Sequence, residues 1–137
     1  MSSSEKRVFI SYAQADRDYA EDLMRVLEAK GIDVWIDKKI EAGSDWDAEI
    51  QNAMRKVSAL VLILSSHSLE SQYVNYEIGS AIAADIPVIP VLVGDVESLP
   101  IYLRRVLAVD TRGLDSATTG VMVADAFKKL QESENDG

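Results

Sequence analysis

The stretch that most constrains this chain is the apolar run Ala59-Leu-Val-Leu-Ile-Leu64, bounded by Ser58 on one side and Ser65-Ser66 on the other. It is too short for a comfortable helix and shows no polar alternation, which suits a central strand of a parallel sheet covered on both faces. The residues after it change period. Val74, Ile78, Ala81 and Ile82 recur at intervals of three and four, so they form one apolar stripe of a helix, and Glu77 falls at the edge of that stripe. A carboxylate there borders the core, and because Glu is rarely buried without a partner, the ordinary reading is a partly solvated helix residue. Two neighbours sharpen the interest: Tyr73 lies one turn earlier, and Gly79, Ser80, Ala81, Ala83 and Ala84 are small enough to leave space above the carboxylate.

Taken in order, Arg7 to Tyr12 reads as a first strand, followed by a helix with Asp16 at its N-cap and Tyr19, Ala20, Leu23, Met24 and Leu27 on one face. Gly31 ends that helix, and Asp33 to Asp37 is a second short strand. After the polar loop Lys38 to Gly43, Ser44 and Asp47 resemble a capping box. The helix they open carries Trp46, Ile50, Ala53, Met54 and Val57 inward. Ile86 to Val93 has the composition of a strand but contains Pro87 and Pro90, and proline normally excludes a segment from the middle of a sheet. The conflict resolves if Pro87 starts the strand and Pro90 presents its missing donor where pairing is incomplete. A loop with a short helical turn near Ile101, a last strand from Val106 to Val109 and a helix from about Thr119 to Gln131 complete the domain. Residues 1–6 and the acidic tail 132–137 are expected to be disordered.

Repeated alternation of strand and helix implies a doubly wound α/β fold: a parallel sheet with right-handed crossovers and helices on both faces. If the strand order is 2-1-3-4-5, ligands bind outside the carboxyl ends of strands 1 and 3, which gathers Ser11, Tyr12, the loop Lys38 to Trp46 and Glu77 around one crevice. At 137 residues the chain forms one domain, and a net charge of −9 argues against nucleic acid as a partner. There is no cysteine and one histidine, His67, so no metal site, thiol nucleophile or Ser-His-Asp set is expected. No apolar run is long enough for a bilayer and the N-terminus lacks the apolar core of a signal peptide, so a soluble cytoplasmic protein without membrane contact is expected.

The usual occupants of such a crevice do not fit. A phospho-receiver needs carboxylates and a lysine where this chain has Ser11-Tyr12, Leu64-Ser65 and Asp110-Thr111. A flavodoxin-type or dinucleotide loop needs small or glycine residues where it has Tyr12-Ala-Gln-Ala-Asp16. What remains is a carboxylate in a crevice with aromatic neighbours, which suits cleavage of a glycosidic bond through an oxocarbenium-like transition state.

Four segments, Val8-Phe-Ile-Ser-Tyr12, Trp35-Ile-Asp37, Lys39-Ile-Glu-Ala-Gly-Ser44 and Ser71-Gln-Tyr-Val-Asn-Tyr-Glu77, resemble in order and spacing the successive boxes of a TIR (Toll/interleukin-1 receptor) domain spanning about residues 7–131. The resemblance implies a flavodoxin-like five-stranded sheet. For the bacterial-type NAD-cleaving branch it further implies an NAD+ glycohydrolase or cyclase that needs no cofactor and takes NAD+ as its substrate. Glu77 closes the last box and is the expected catalytic residue. Ser11, Tyr12, Ile40, Gly43, Trp46, Ser71 and Tyr73 are the expected substrate-binding residues. Tyr73 stands where the family usually has Trp, and Ala42 stands where it usually has Pro. Trp46 fits a core anchor of its helix as well as a site residue, and Tyr12 fits a strand-end packing residue as well as a pocket wall. The resemblance also implies self-association through the loop Lys38 to Ser44. An adaptor that works by TIR–TIR assembly without catalysis is the alternative from a different class, and a nucleoside-processing transferase with a nucleophilic glutamate is a third.

Overall fold

A computed structural model describes residues 7–36, 46–94 and 109–136, with the side chains of 46–50, 69, 72, 73 and 133–136 outside the description. Ile40, Gly43, the helical turn expected near Ile101 and the terminal residues 1–6 and 137 lie outside the described residues. Five strands, β1 (Arg7–Ser11), β2 (Asp33–Ile36), β3 (Ala59–Leu64), β4 (Val88–Leu92) and β5 (Val109–Asp110), form one sheet in the order β2-β1-β3-β4-β5. Every neighbouring pair is parallel. Among the described residues, four α-helices connect or follow them: α1 (Arg17–Ala29), α2 (Trp46–Arg55), α3 (Gln72–Ala83) and α4 (Ser116–Asp136). The fold is the expected doubly wound flavodoxin-like sheet.

All six residues of β3 are buried, because the strand has a layer of helices on either side. The period of two along each strand divides the core in two. Val8, Ile10, Val61, Ile63, Ile89 and Val91 meet Leu23 and Leu27 of α1 and Val123 and Phe127 of α4. Phe9, Leu60, Leu62 and Leu64 point the other way, onto Met54 of α2 and Val74, Ile78 and Ala81 of α3. On that second side the rings of Phe9 and Trp35 lie 4.5 Å apart between centroids, tying edge strand β2 to β1. Among the described residues no helix is long and apolar enough to cross a membrane.

Pro90 pairs with Leu62 inside β4. The amide of Val93 and the carbonyl of Pro87 bond to β3, whereas the carbonyl of Leu92 accepts from Thr111 on the other side. By the same alternation Pro90 faces the β5 side, and pairing with β5 begins only at Val91. Its missing donor thus falls before the first described pair with β5. The last helix differs from expectation at both ends, starting at Ser116 and running to Asp136, five residues beyond Gln131. Asp115 supplies the start by accepting from the amide of Thr118 at 2.8 Å. An established helix costs little to propagate through Glu, Ser and Asn, which carries it into the acidic tail.

Candidate functional site

Ser11 ends β1 two residues after Phe9, so it faces the α2/α3 side of the sheet, where α3 crosses. Glu77 lies on α3 between Val74 and Ile78 and is only 3% exposed. The partly solvated residue that the pattern favoured is therefore a buried one. Helical positions advance about 100° per residue, which puts Glu77 roughly 60° to one side of Val74 and Ile82 roughly 80° to the other. The stripe that meets the sheet is turned toward Glu77, and Ile82, expected inside, is 51% exposed.

The Ser11 hydroxyl donates to Glu77 Oε1 at 2.7 Å. That is an ordinary length for a well-formed O–H···O hydrogen bond. The pair sits at the carboxyl end of β1 beside β3, where the winding of the sheet reverses, and this is the position at which folds of this topology hold ligands.

The structure does not gather all the other expected site residues at this pair. Ser71 caps α3, its Oγ accepting from the amide of Val74 at 3.3 Å. Tyr12 is half-buried and packs against the α1/α4 core. Tyr73 and Trp46 occupy the first turns of α3 and α2, with their side chains outside the description. Gly79, Ser80, Ala83 and Ala84 line a groove of about 530 Å³ that faces Gln51, Met54 and Arg55 of α2, so the space they leave lies between the two helices.

After the carboxyl end of β3 is a second polar cluster that the sequence did not announce. Asp16 occupies the N-cap position of α1, yet its side chain makes no capping bond. Its Oδ2 instead accepts from the hydroxyl of Ser65, the residue that follows β3. Ser65 Oγ also accepts from the amide of His67 at 3.2 Å, and Ser68 Oγ donates to the Ser65 carbonyl at 3.0 Å. The signal for Ser65 was its place directly after a fully buried strand at the switch point. Asp16 carried no such signal, because a capping Asp and one bridging to another strand look alike in sequence.

Residues 8–122 match the model of the TIR domain family. No curated protein sequence matches the chain. Among solved structures, the chain is similar to the TIR domain of the Toll-related receptor TRR-2 from Hydra magnipapillata, at a TM-score of 0.71 and 19% identity over 90% of this chain and 97% of that one. It is also similar to a TIR-STING receptor from C. gigas in complex with 2',3'-cGAMP, at a TM-score of 0.72 and 22% identity over 88% of this chain and 38% of that one. The heterodimer of the RPS4 and RRS1 TIR domains gives a TM-score of 0.63 and 19% identity over 90% of this chain and 96% of the other. At these identities the likeness is one of fold.

Proposed function

This chain belongs to the TIR domain family, and from that membership we propose that it cleaves NAD+ at the bond between nicotinamide and ribose, with Glu77 as the catalytic residue. The observation that carries the reading is the Glu77 carboxylate, 3% exposed and hydrogen-bonded by Ser11 at the switch point of the sheet. Water is largely kept from this carboxylate, so it interacts with a neighbouring cation more strongly than an exposed one. As the C1′–N1 bond of NAD+ breaks, the bonding pair leaves with nicotinamide, which departs neutral and needs no general acid. Positive charge grows on the ribose carbon and ring oxygen, and Glu77 stabilises it. Capture of that carbon by water gives ADP-ribose, and capture by a nucleophile of the same molecule gives a cyclic ADP-ribose. In this reading Tyr73 stacks on a substrate ring, as an aromatic one turn before Glu77 can, and the loop Lys38 to Ser44 with Trp46 borders the site.

The alternative is a TIR domain that acts by assembly alone, and the RPS4–RRS1 heterodimer among its structural neighbours favours giving it weight. Association and catalysis are compatible, and we propose that copies of this chain associate through the loop Lys38 to Ser44. One measurement separates the readings: nicotinamide release on incubation with NAD+. Wild-type protein is expected to release it, and Glu77→Gln, which keeps shape and an acceptor for Ser11 but removes the charge, to lose roughly 100-fold or more in turnover while staying folded. Folded Glu77→Gln with near wild-type turnover refutes the catalytic role. A wild-type protein that releases none leaves the assembly reading.

A further inference from the structure

Ser11 is wholly buried, and β1, which carries it, is paired on both sides, with β2 and with β3. Ser11 itself pairs with Leu62 of β3, and the pairing of β1 with β2 reaches Ile10 just before it, so its backbone is held in the sheet, while the Glu77 side chain has three rotatable bonds and would lose considerable rotamer freedom in adopting one pose. A donor fixed in the sheet selects that pose, because the 2.7 Å bond to Oε1 exists in one arrangement only. A fully buried hydroxyl with its proton committed to a carboxylate is poorly placed to grip a substrate as well.

We infer that Ser11 is a positioning residue: its hydroxyl, anchored in the sheet, holds the Glu77 carboxylate in the orientation from which it acts. The inference rests on the NAD-cleaving reading of Glu77 and gives Ser11 a role distinct from the substrate contact expected from the sequence.

The decisive variant is Ser11→Ala, with Ser11→Gly carrying the same expectations should the alanine protein prove unfolded by circular dichroism. Losing a hydrogen bond to a charged group corresponds to roughly a 10- to 100-fold effect. That loss is expected in kcat, with KM changed by less than about threefold, since the substrate keeps its own contacts. Independently of activity, the Glu77 carboxyl carbon is followed by NMR through a pH titration. Removing a donor to the charged form moves its midpoint to higher pH than in wild type, which loss of packing alone would not do. An unmoved Glu77 titration in a folded variant overturns the inference whatever the kinetics, and so does a loss carried by KM. Wild-type protein that releases no nicotinamide overturns the NAD reading instead, and the titration still decides whether Ser11 holds Glu77.

Discussion

At the end of β5 and on the turn before α4, Asp110 and Asp115 face solvent but are held by specific donors. Asp110 accepts from the Arg112 guanidinium at 2.9 and 2.8 Å, and these bonds pull its carboxyl from the ordinary 3.8 down to about 2. Asp115 is also lowered, by the Thr118 amide at the start of α4. A depressed carboxyl contributes stability that is fully present above the ordinary value and is lost as pH falls through the folded one. Both residues should therefore loosen this turn in acid, below a pH of about 4. Asp115→Ala is expected to melt at lower temperature than wild type at pH 7, and the gap should narrow as pH falls below about 4; calorimetry from neutral into acid pH checks it. Glu77 shows what sequence could and could not say at this scale. Its type and its place at the edge of a stripe were legible. Its burial was not, because it depends on how far α3 turns on the sheet and on Ser11, which is 66 residues away in the chain. Asp16 was placed at the right position and given the wrong partner for the same reason: its bond to Ser65 joins two elements that only the fold brings together.

At the level of elements, local chemistry was read well where it was local. Gly31 ends α1 with a φ of 83°, and the amides of Ile32 and Gly31 return to the carbonyls of Leu27 and Glu28. Asp85 repeats that arrangement after α3 at a φ of 60°, with Ile86 and Asp85 returning to Ala81 and Ile82, although an Asp there gives little sequence signal. Helix–helix proximity was not legible at all. A Cβ on Gly120 of α4 would stand 2.1 Å from Val26 Cγ1 and 2.7 Å from Val26 Cβ on α1, so the two backbones approach closely at this point. Because Val26 Cβ cannot swing away, Gly120→Ala should push the helices apart and cost about 1–3 kcal/mol despite alanine's better helix propensity. Adding Val26→Ala should recover part of the loss. Urea unfolding of the two single variants and the double one gives the coupling, and an alanine at 120 that leaves stability unchanged would disprove the close crossing.

For the whole molecule, strand–helix alternation implied a parallel sheet wound in both directions, because crossovers have one hand and both faces must be covered, whereas the order 2-1-3-4-5 was supposed and is observed in the sheet. Assembly belongs to this scale too. With a net charge of −9, copies repel one another at low salt and approach more readily when salt screens them. If association through the loop Lys38 to Ser44 supports catalysis, nicotinamide release per molecule should rise with protein concentration, and Ile40→Asp should flatten that rise without unfolding the chain. Parallel sedimentation and activity titrations check this, and constant specific activity from a monomer would count against it. The crossing of α1 and α4 also bears on how the molecule comes into being. Val123, Phe127 and Thr119, which takes the Tyr19 hydroxyl at 2.8 Å, cover a face of the sheet that β1 and α1 have already laid down. A ribosome delivers those covering residues after all five strands. The nascent chain must therefore carry a partly open apolar face until α4 emerges, and during that interval chaperones or neighbouring nascent chains can reach Ile10, Val61 and Ile63 before α4 does.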